Sequence, residues 1–143
     1  MGCLFRQRVS EWATPLHCAR EAAFGLRDLV ERRGFHAHLP IEIRFTAGDD
    51  IWLSPAHGGS RCWIGVIAYL PWGREPDWAP WFDAFEEHMS GFQGRPHWAK
   101  HFKVSTASFG RMYPRWEDFQ RLRRRLDPER RLRNSFTERV LEA

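Results

Sequence analysis

Glu42 and Arg44 stand two residues apart in the segment IEIRFT, a spacing that on a strand puts both side chains on one face, about 7 Å apart along the chain. Opposite charges so placed either brace each other as a solvated ion pair or line a polar pocket. In the second case Arg44 donates to an oxygen-rich ligand and Glu42 accepts from its hydroxyls. Thr46 continues the same face. A second concentration of reactive side chains lies in GRPHWAKHF, where His97, Trp98, Lys100 and His101 fall close together. His97 and His101 have the i, i+4 spacing of metal ligands on a helix. Lys100 between them repels a cation, the Glu of an HExxH pattern is missing, and neither His57 nor Cys62 stands at a ligand spacing, so no metal is expected. GxSxG, P-loop and GxGxxG patterns do not occur either, which leaves acyl transfer, nucleotide hydrolysis and Rossmann dinucleotide binding without their usual signatures.

These residues need elements to hold them. Thr14-Pro15 reads as a helix start, with Leu16, Ala19, Ala23, Leu26 and Val30 on one face up to Gly34. After Pro40, IEIRFT alternates with period two, Ile41, Ile43 and Phe45 opposing Glu42, Arg44 and Thr46. AGDD reads as a turn, IWLSP as a short strand, HGGSR as another turn, and Cys62 to Leu70 as a buried strand. Asp77 can cap a helix whose Trp78, Trp81, Phe82, Phe85 and Met89 follow a helical period and end at Gly91, a stripe expected to be core. FQGRPHWAKHF reads as a loop. Pro114 opens a basic helix with Tyr113, Trp116, Phe119, Leu122 and Leu126 on its core side, Asp127-Pro128 ends it, and SFTERVLEA closes the chain as a short helix or coil. This order predicts an α+β fold with a mostly antiparallel sheet and flanking helices.

Composition bounds the function. The 143 residues suit one ordinary domain, and 43% hydrophobic residues with eight Trp and eleven Phe are incompatible with a disordered chain. No window approaches the roughly 20 apolar residues of a membrane span, and arginines stand where a signal peptide would be apolar. Three widely spaced cysteines, Cys3, Cys18 and Cys62, suit a reducing, intracellular compartment. The charge of +4 sits wholly between Arg111 and Ala143, where ten arginines face six acids. RLRRRLDPERRLR therefore has two readings: the wet side of an amphipathic helix, or a patch for nucleic acid or an anionic membrane surface. The second gives an alternative function, a non-catalytic interaction module.

IEIRFTAGDDIWLSP, then GRPHWAK, then MYPRWEDFQRLRRRLDPERRLRNSF, together with EWATP near the start, closely resemble the C-terminal portion of the FAD-dependent aldonolactone oxidases. That family includes the L-gulonolactone and D-arabinono-1,4-lactone oxidases, and the likeness runs from Glu11 to about Leu141.

The resemblance implies the fold and the site. The fold would be the cap domain of vanillyl-alcohol-oxidase-type flavoenzymes, with residues 1–103 as part of the substrate-binding cap and 104–143 as a helical segment packing on an FAD-binding domain. Glu42, Arg44 and Lys100 match the family's catalytic residues, and Thr46, His97 and Trp98 would line the substrate and flavin pocket. The implied reaction oxidises the C2 hydroxyl of a sugar lactone, with hydride passing to FAD and oxygen as acceptor giving H2O2, in ascorbate- or erythroascorbate-type biosynthesis. The implied partners are the lactone and an FAD-binding domain or subunit, since the segments that would grip FAD are not in these residues. A surface normally covered by that domain would favour self-association, and peripheral membrane contact fits the basic tail. Where family members read HWxKxH, this chain has Phe102, preceded by His101.

Overall fold

The computed structural model describes residues 6–37 and 40–142; Cys3 lies outside them. The fold is α+β, built on a four-stranded antiparallel sheet in the order β2-β3-β1-β4. The strands are β1 (Gln7–Pro15), β2 (Glu42–Thr46), β3 (Arg61–Tyr69) and β4 (Arg95–Pro96). Helices α1 (Ala19–Arg33) and α2 (Ala79–Gly91) precede three C-terminal helices, α3 (Thr106–Met112), α4 (Trp116–Leu126) and α5 (Ser135–Leu141). The alternation of the strands divides the sheet cleanly. Trp12, Cys62, Ile64 and Val66 point to one face and pack with Leu26 of α1 and Phe82, Phe85 and Met89 of α2. Glu11, Ala13, Trp63 and Gly65 point to the other, joined from β2 by Glu42, Arg44 and Thr46.

The aromatic stripe of α2 is core, as its period predicts: Trp81, Phe82, Phe85 and Met89 are all buried. Its expected cap is not used, because the helix begins at Ala79 with Trp78 at the N-cap and no side-chain capping bond. The Trp78 amide instead closes a turn onto Pro76 O at 2.8 Å. Gly34 ends α1 as expected, with a left-handed φ of +63° that a Cβ would disfavour.

Thr14-Pro15 does not start a helix. Both residues finish β1, paired with Cys62 and Arg61, and the Thr14 hydroxyl donates to Phe92 O at 2.6 Å rather than capping. A proline ring fixes φ near a value that helix and extended backbone share, so the ψ of 139° at Pro15 is set by its ladder with β3. A turn over Leu16–Cys18 then leads into α1. IWLSP is not a strand either. The Asp49 carboxylate accepts from Ile51 N at 3.0 Å and from Ser54 Oγ at 2.5 Å, folding the segment into turns in place of a ladder. Ile43 and Phe45 do share the core face, opposite Ile64 and Cys62. At the sheet edge, however, they remain 46% and 64% exposed.

GRPHWAK contributes more than a loop, since Arg95 and Pro96 pair with Ala13 and Trp12 as β4. Proline suits such an edge position. The turn before it is tight. A Cβ on Gly94 would stand 2.5 Å from Met89 O and 3.1 Å from the Trp12 ring. Gly94→Ala should therefore lower stability by about 1–3 kcal/mol through a forced backbone shift, read as a drop in the urea midpoint with unchanged m-value.

The basic helix begins at Trp116, after a separate α3 that the sequence pattern did not announce. Tyr113 and Trp116 are buried and Phe119 and Leu122 partly so, but Leu126 is 71% exposed. Asp127 ends α4 by accepting from Arg131 N at 2.7 Å and Leu132 N at 3.0 Å. In α5 a reciprocal Asn134–Thr137 capping box fixes the start.

Candidate functional site

On the sheet face away from α1 and α2, β1 and β2 flank β3, so residues opposite the same β3 position meet across it. Glu11 and Glu42 both stand opposite Gly65. A Cβ there would lie 3.6 Å from Glu42 Cβ and 3.7 Å from both Glu42 Oε2 and Glu11 Cγ, so the missing side chain gives the two acids room to lie together. One pair along, Arg44 stands opposite Trp63 and places its guanidinium 5.0 Å from that ring's centroid. Arg44 Nε donates to Glu11 Oε1 at 2.7 Å, and this bond is the largest reason the guanidinium's pKa lies above its usual value. Glu42 adds to the same field. Thr46 Oγ1 accepts from Trp63 Nε1 at 2.9 Å and so braces the ring under Arg44.

The GRPHWAK block reaches the same face through β1. His97 N donates to Glu11 O at 2.9 Å, and the His97 ring packs edge-on to Trp63 at 5.7 Å with Nε2 4.0 Å from Glu11 Oε2. At 4.0 Å that contact is too long for a hydrogen bond. Arg95, paired with Ala13, anchors the block by donating from Nη1 to His57 O at 2.8 Å; burial pulls its pKa below the usual value.

Of the residues singled out from sequence, Glu42, Arg44, Thr46 and His97 are brought together here. Trp98 is not among them. Its indole donates to Leu53 O at 2.7 Å and stacks on Phe109 and Tyr113, with centroids 4.8 and 5.6 Å away. Lys100 follows on a turn closed by its amide onto His97 O at 3.0 Å, and its side chain is exposed. His101 packs between Trp78 and Phe82, and burial lowers its pKa. His97 and His101 thus face different neighbours, and no helix underlies their spacing. Phe102 is core, edge-on to Phe109.

Sequence reading missed Glu11 and Trp63, the two residues that hold Arg44. The signal for Trp63 was its place in an apolar run. Glu11 had the weaker one of an acid inside EWAT, where a charge on a strand flanked by apolar residues asks for a partner.

The C-terminal arginines are largely engaged. Arg115 and Arg121 pair with Asp118, Arg123 and Arg130 with Glu142, Arg131 with Glu129 and Arg133 with Glu138. Among the described residues no helix is long and apolar enough to cross a membrane, and no cluster of three His, Cys, Asp or Glu could hold a metal ion.

A guanidinium with both terminal nitrogens unbonded among the described residues thus stands beside an exposed carboxylate and an imidazole. Comparison with known proteins gives the chain a family. The sequence model of the D-arabinono-1,4-lactone oxidases matches residues 1–140, and the chain belongs to that family. It is 39% identical to mouse L-gulonolactone oxidase over 139 residues, which is 96% of this chain and 32% of the relative. It is 43% identical to L-gulono-1,4-lactone dehydrogenase of Mycobacterium tuberculosis over 131 residues, 92% of this chain and 30% of the relative. A more distant likeness, 35% over 102 residues, joins it to an alditol oxidase of a Streptomyces species. The chain thus spans about a third of the length of the first two of these curated relatives.

Proposed function

We propose that the chain forms the substrate-binding, C-terminal part of a flavin-dependent oxidase acting on a sugar-1,4-lactone. The observation that carries this reading is the Arg44 fork, held through Nε by Glu11 and left free at its terminal nitrogens beside Glu42. Arg44 donates to the lactone's carbonyl and ring oxygens, and Glu42 accepts from a hydroxyl. Trp63 walls the ligand from below, with Thr46 and His97 fixing that wall. Oxidation of the C2 hydroxyl removes a hydride from the carbon and a proton from the oxygen; bound FAD would supply the hydride acceptor and solvent would take the proton. The exposed Lys100 would offset the negative charge that a flavin gathers on reduction. In this reading residues 104–143 would meet a separate FAD-binding domain while residues 1–103 carry the ligand face.

The test is titration of the chain with L-gulono-1,4-lactone, followed by NMR. Shifts confined to Glu11, Glu42, Arg44, Trp63 and His97, and lost in Arg44→Ala, are expected. No shift at millimolar lactone, in the chain or in the chain joined to a relative's flavin domain, would sink the reading. Binding that instead falls steeply with salt and responds to nucleic acid or anionic vesicles would favour the interaction-module alternative.

A further inference from the structure

Glu11 is an expensive residue where it stands. Its side chain is 5% exposed on a strand that has neighbours on both sides, while its one ion-paired arginine is 50% exposed. A buried carboxylate must be desolvated, and a half-exposed guanidinium satisfies itself in water without help. An apolar side chain of the same length at position 11 would pack against the Gly65 strand at lower cost. Stability therefore does not explain the carboxylate.

Geometry does. Arg44 comes from β2, an edge strand whose five residues are exposed or half-exposed, and its long side chain would otherwise sample many rotamers. Glu11 comes from the interior strand β1 and bonds Nε, the one guanidinium donor that lies along the stem. With Nε taken and the guanidinium held 5.0 Å from the Trp63 centroid, the fork has a fixed direction, and Nη1 and Nη2 make no hydrogen bond among the described residues. The same residue ties down the other ligand-facing block, since Glu11 O accepts from His97 N at 2.9 Å and Oε2 lies 4.0 Å from His97 Nε2. Glu11 is thus the point at which IEIRFT and GRPHWAK are held in one frame.

We propose that Glu11 is a positioning residue of the site: its buried carboxylate holds Arg44 by Nε so that both terminal nitrogens face the ligand's oxygens, while the backbone carbonyl of the same residue anchors His97 beside them. This rests on the lactone reading for the identity of the ligand, but not for the hold on Arg44. A fork already ordered before binding loses little freedom when the ligand arrives, and that preorganisation is what Glu11 supplies.

Two variants of the chain test it. Glu11→Met keeps the volume and removes both charge and acceptor; Glu11→Gln keeps an acceptor and removes the charge. The first readout is the Arg44 Nε–H resonance, which a bond to a buried carboxylate shifts downfield and protects from exchange. It should be present in the parent, weakened in Glu11→Gln and lost in Glu11→Met. Lactone affinity should fall in the same order, by roughly ten- to a hundredfold for Glu11→Met. The melting temperature of Glu11→Met should match or exceed the parent's, which separates positioning from a structural role. A protected Nε–H surviving in Glu11→Met, lactone affinity within twofold of the parent, or a Glu11→Met chain that melts far below the parent or fails to fold would each overturn the proposal. A parent that binds no lactone, yet loses the Nε–H signal in Glu11→Met, would overturn the proposed function and support the hold of Glu11 on Arg44.

Discussion

Arg44→Lys is expected to weaken lactone binding roughly ten- to a hundredfold although the net charge is unchanged, the scale of losing hydrogen bonds from a charged donor. Arg44 performs two tasks at once with separate nitrogens: Nε is bonded to Glu11 at 2.7 Å and the terminal pair is open. Lysine offers a single ammonium on a flexible stem. If that ammonium stays with Glu11, the ligand loses both donors; if it turns outward, Glu11 is left as an unpaired buried carboxylate. Either outcome also forfeits the planar contact over Trp63. Calorimetric titration of the chain with L-gulono-1,4-lactone gives the affinity. In the chain joined to a relative's flavin domain, stopped-flow reduction at saturating lactone shows whether the loss lies in binding or in the rate that follows. An Arg44→Lys chain that binds as tightly as the parent would show that charge alone suffices and that the fork is not used.

Phe85→Ala is expected to remove about 3–5 kcal/mol of folding stability, a large share of the roughly 5–15 kcal/mol that a domain possesses. Phe85 is fully buried at the centre of the layer between α2 and the sheet, with the Trp81 ring tilted against it at 6.1 Å. Its removal leaves a void between elements that cannot approach further without displacing Trp12 and Leu26. Urea denaturation followed by tryptophan fluorescence should show the unfolding midpoint moved to markedly lower urea with an unchanged m-value. As a control, Leu126→Ala, at a position 71% exposed, should stay within about 0.5 kcal/mol of the parent. A Phe85→Ala loss below about 1 kcal/mol would mean that this layer is not the core.

What could be read in the sequence depended on whether an element carries its own evidence. The α2 stripe and the apolar run of β3 did so, because each element's period or length states which side is buried. β1 did not. Its core face includes Ser10 and Thr14, whose hydroxyls donate to His101 O and Phe92 O, so a polar side chain there is satisfied by residues far along the chain. Its last two residues, Thr14 and Pro15, imitate a helix start that only the ladder with β3 overrides. IWLSP failed for the opposite reason, since its apolar residues suggested a strand while the Asp49 side chain supplied a local alternative. In the site, the face shared by Glu42, Arg44 and Thr46 follows from period two. The direction of Trp98 and the engagement of Arg44 by Glu11 are facts of tertiary packing that no local spacing contains.

The position of β1 has a consequence for how the chain is made. Of the four strands it is synthesised before the others, yet it is an interior strand whose partners are residues 61–69 on one side and 95–96 on the other. At about 5–20 residues per second, translation leaves it without either neighbour for several seconds. During that interval two bare edges and the Trp12 indole, fully covered in the finished fold, are open to any hydrophobic surface in the crowded medium. α1, the next segment to emerge, contributes Ala22 and Leu26 to the same core and can shield only part of it. From the moment Pro15 clears the ribosome until Arg61–Tyr69 follows, β1 therefore lacks its native neighbour on that side, and slowing translation through that stretch would prolong the exposure.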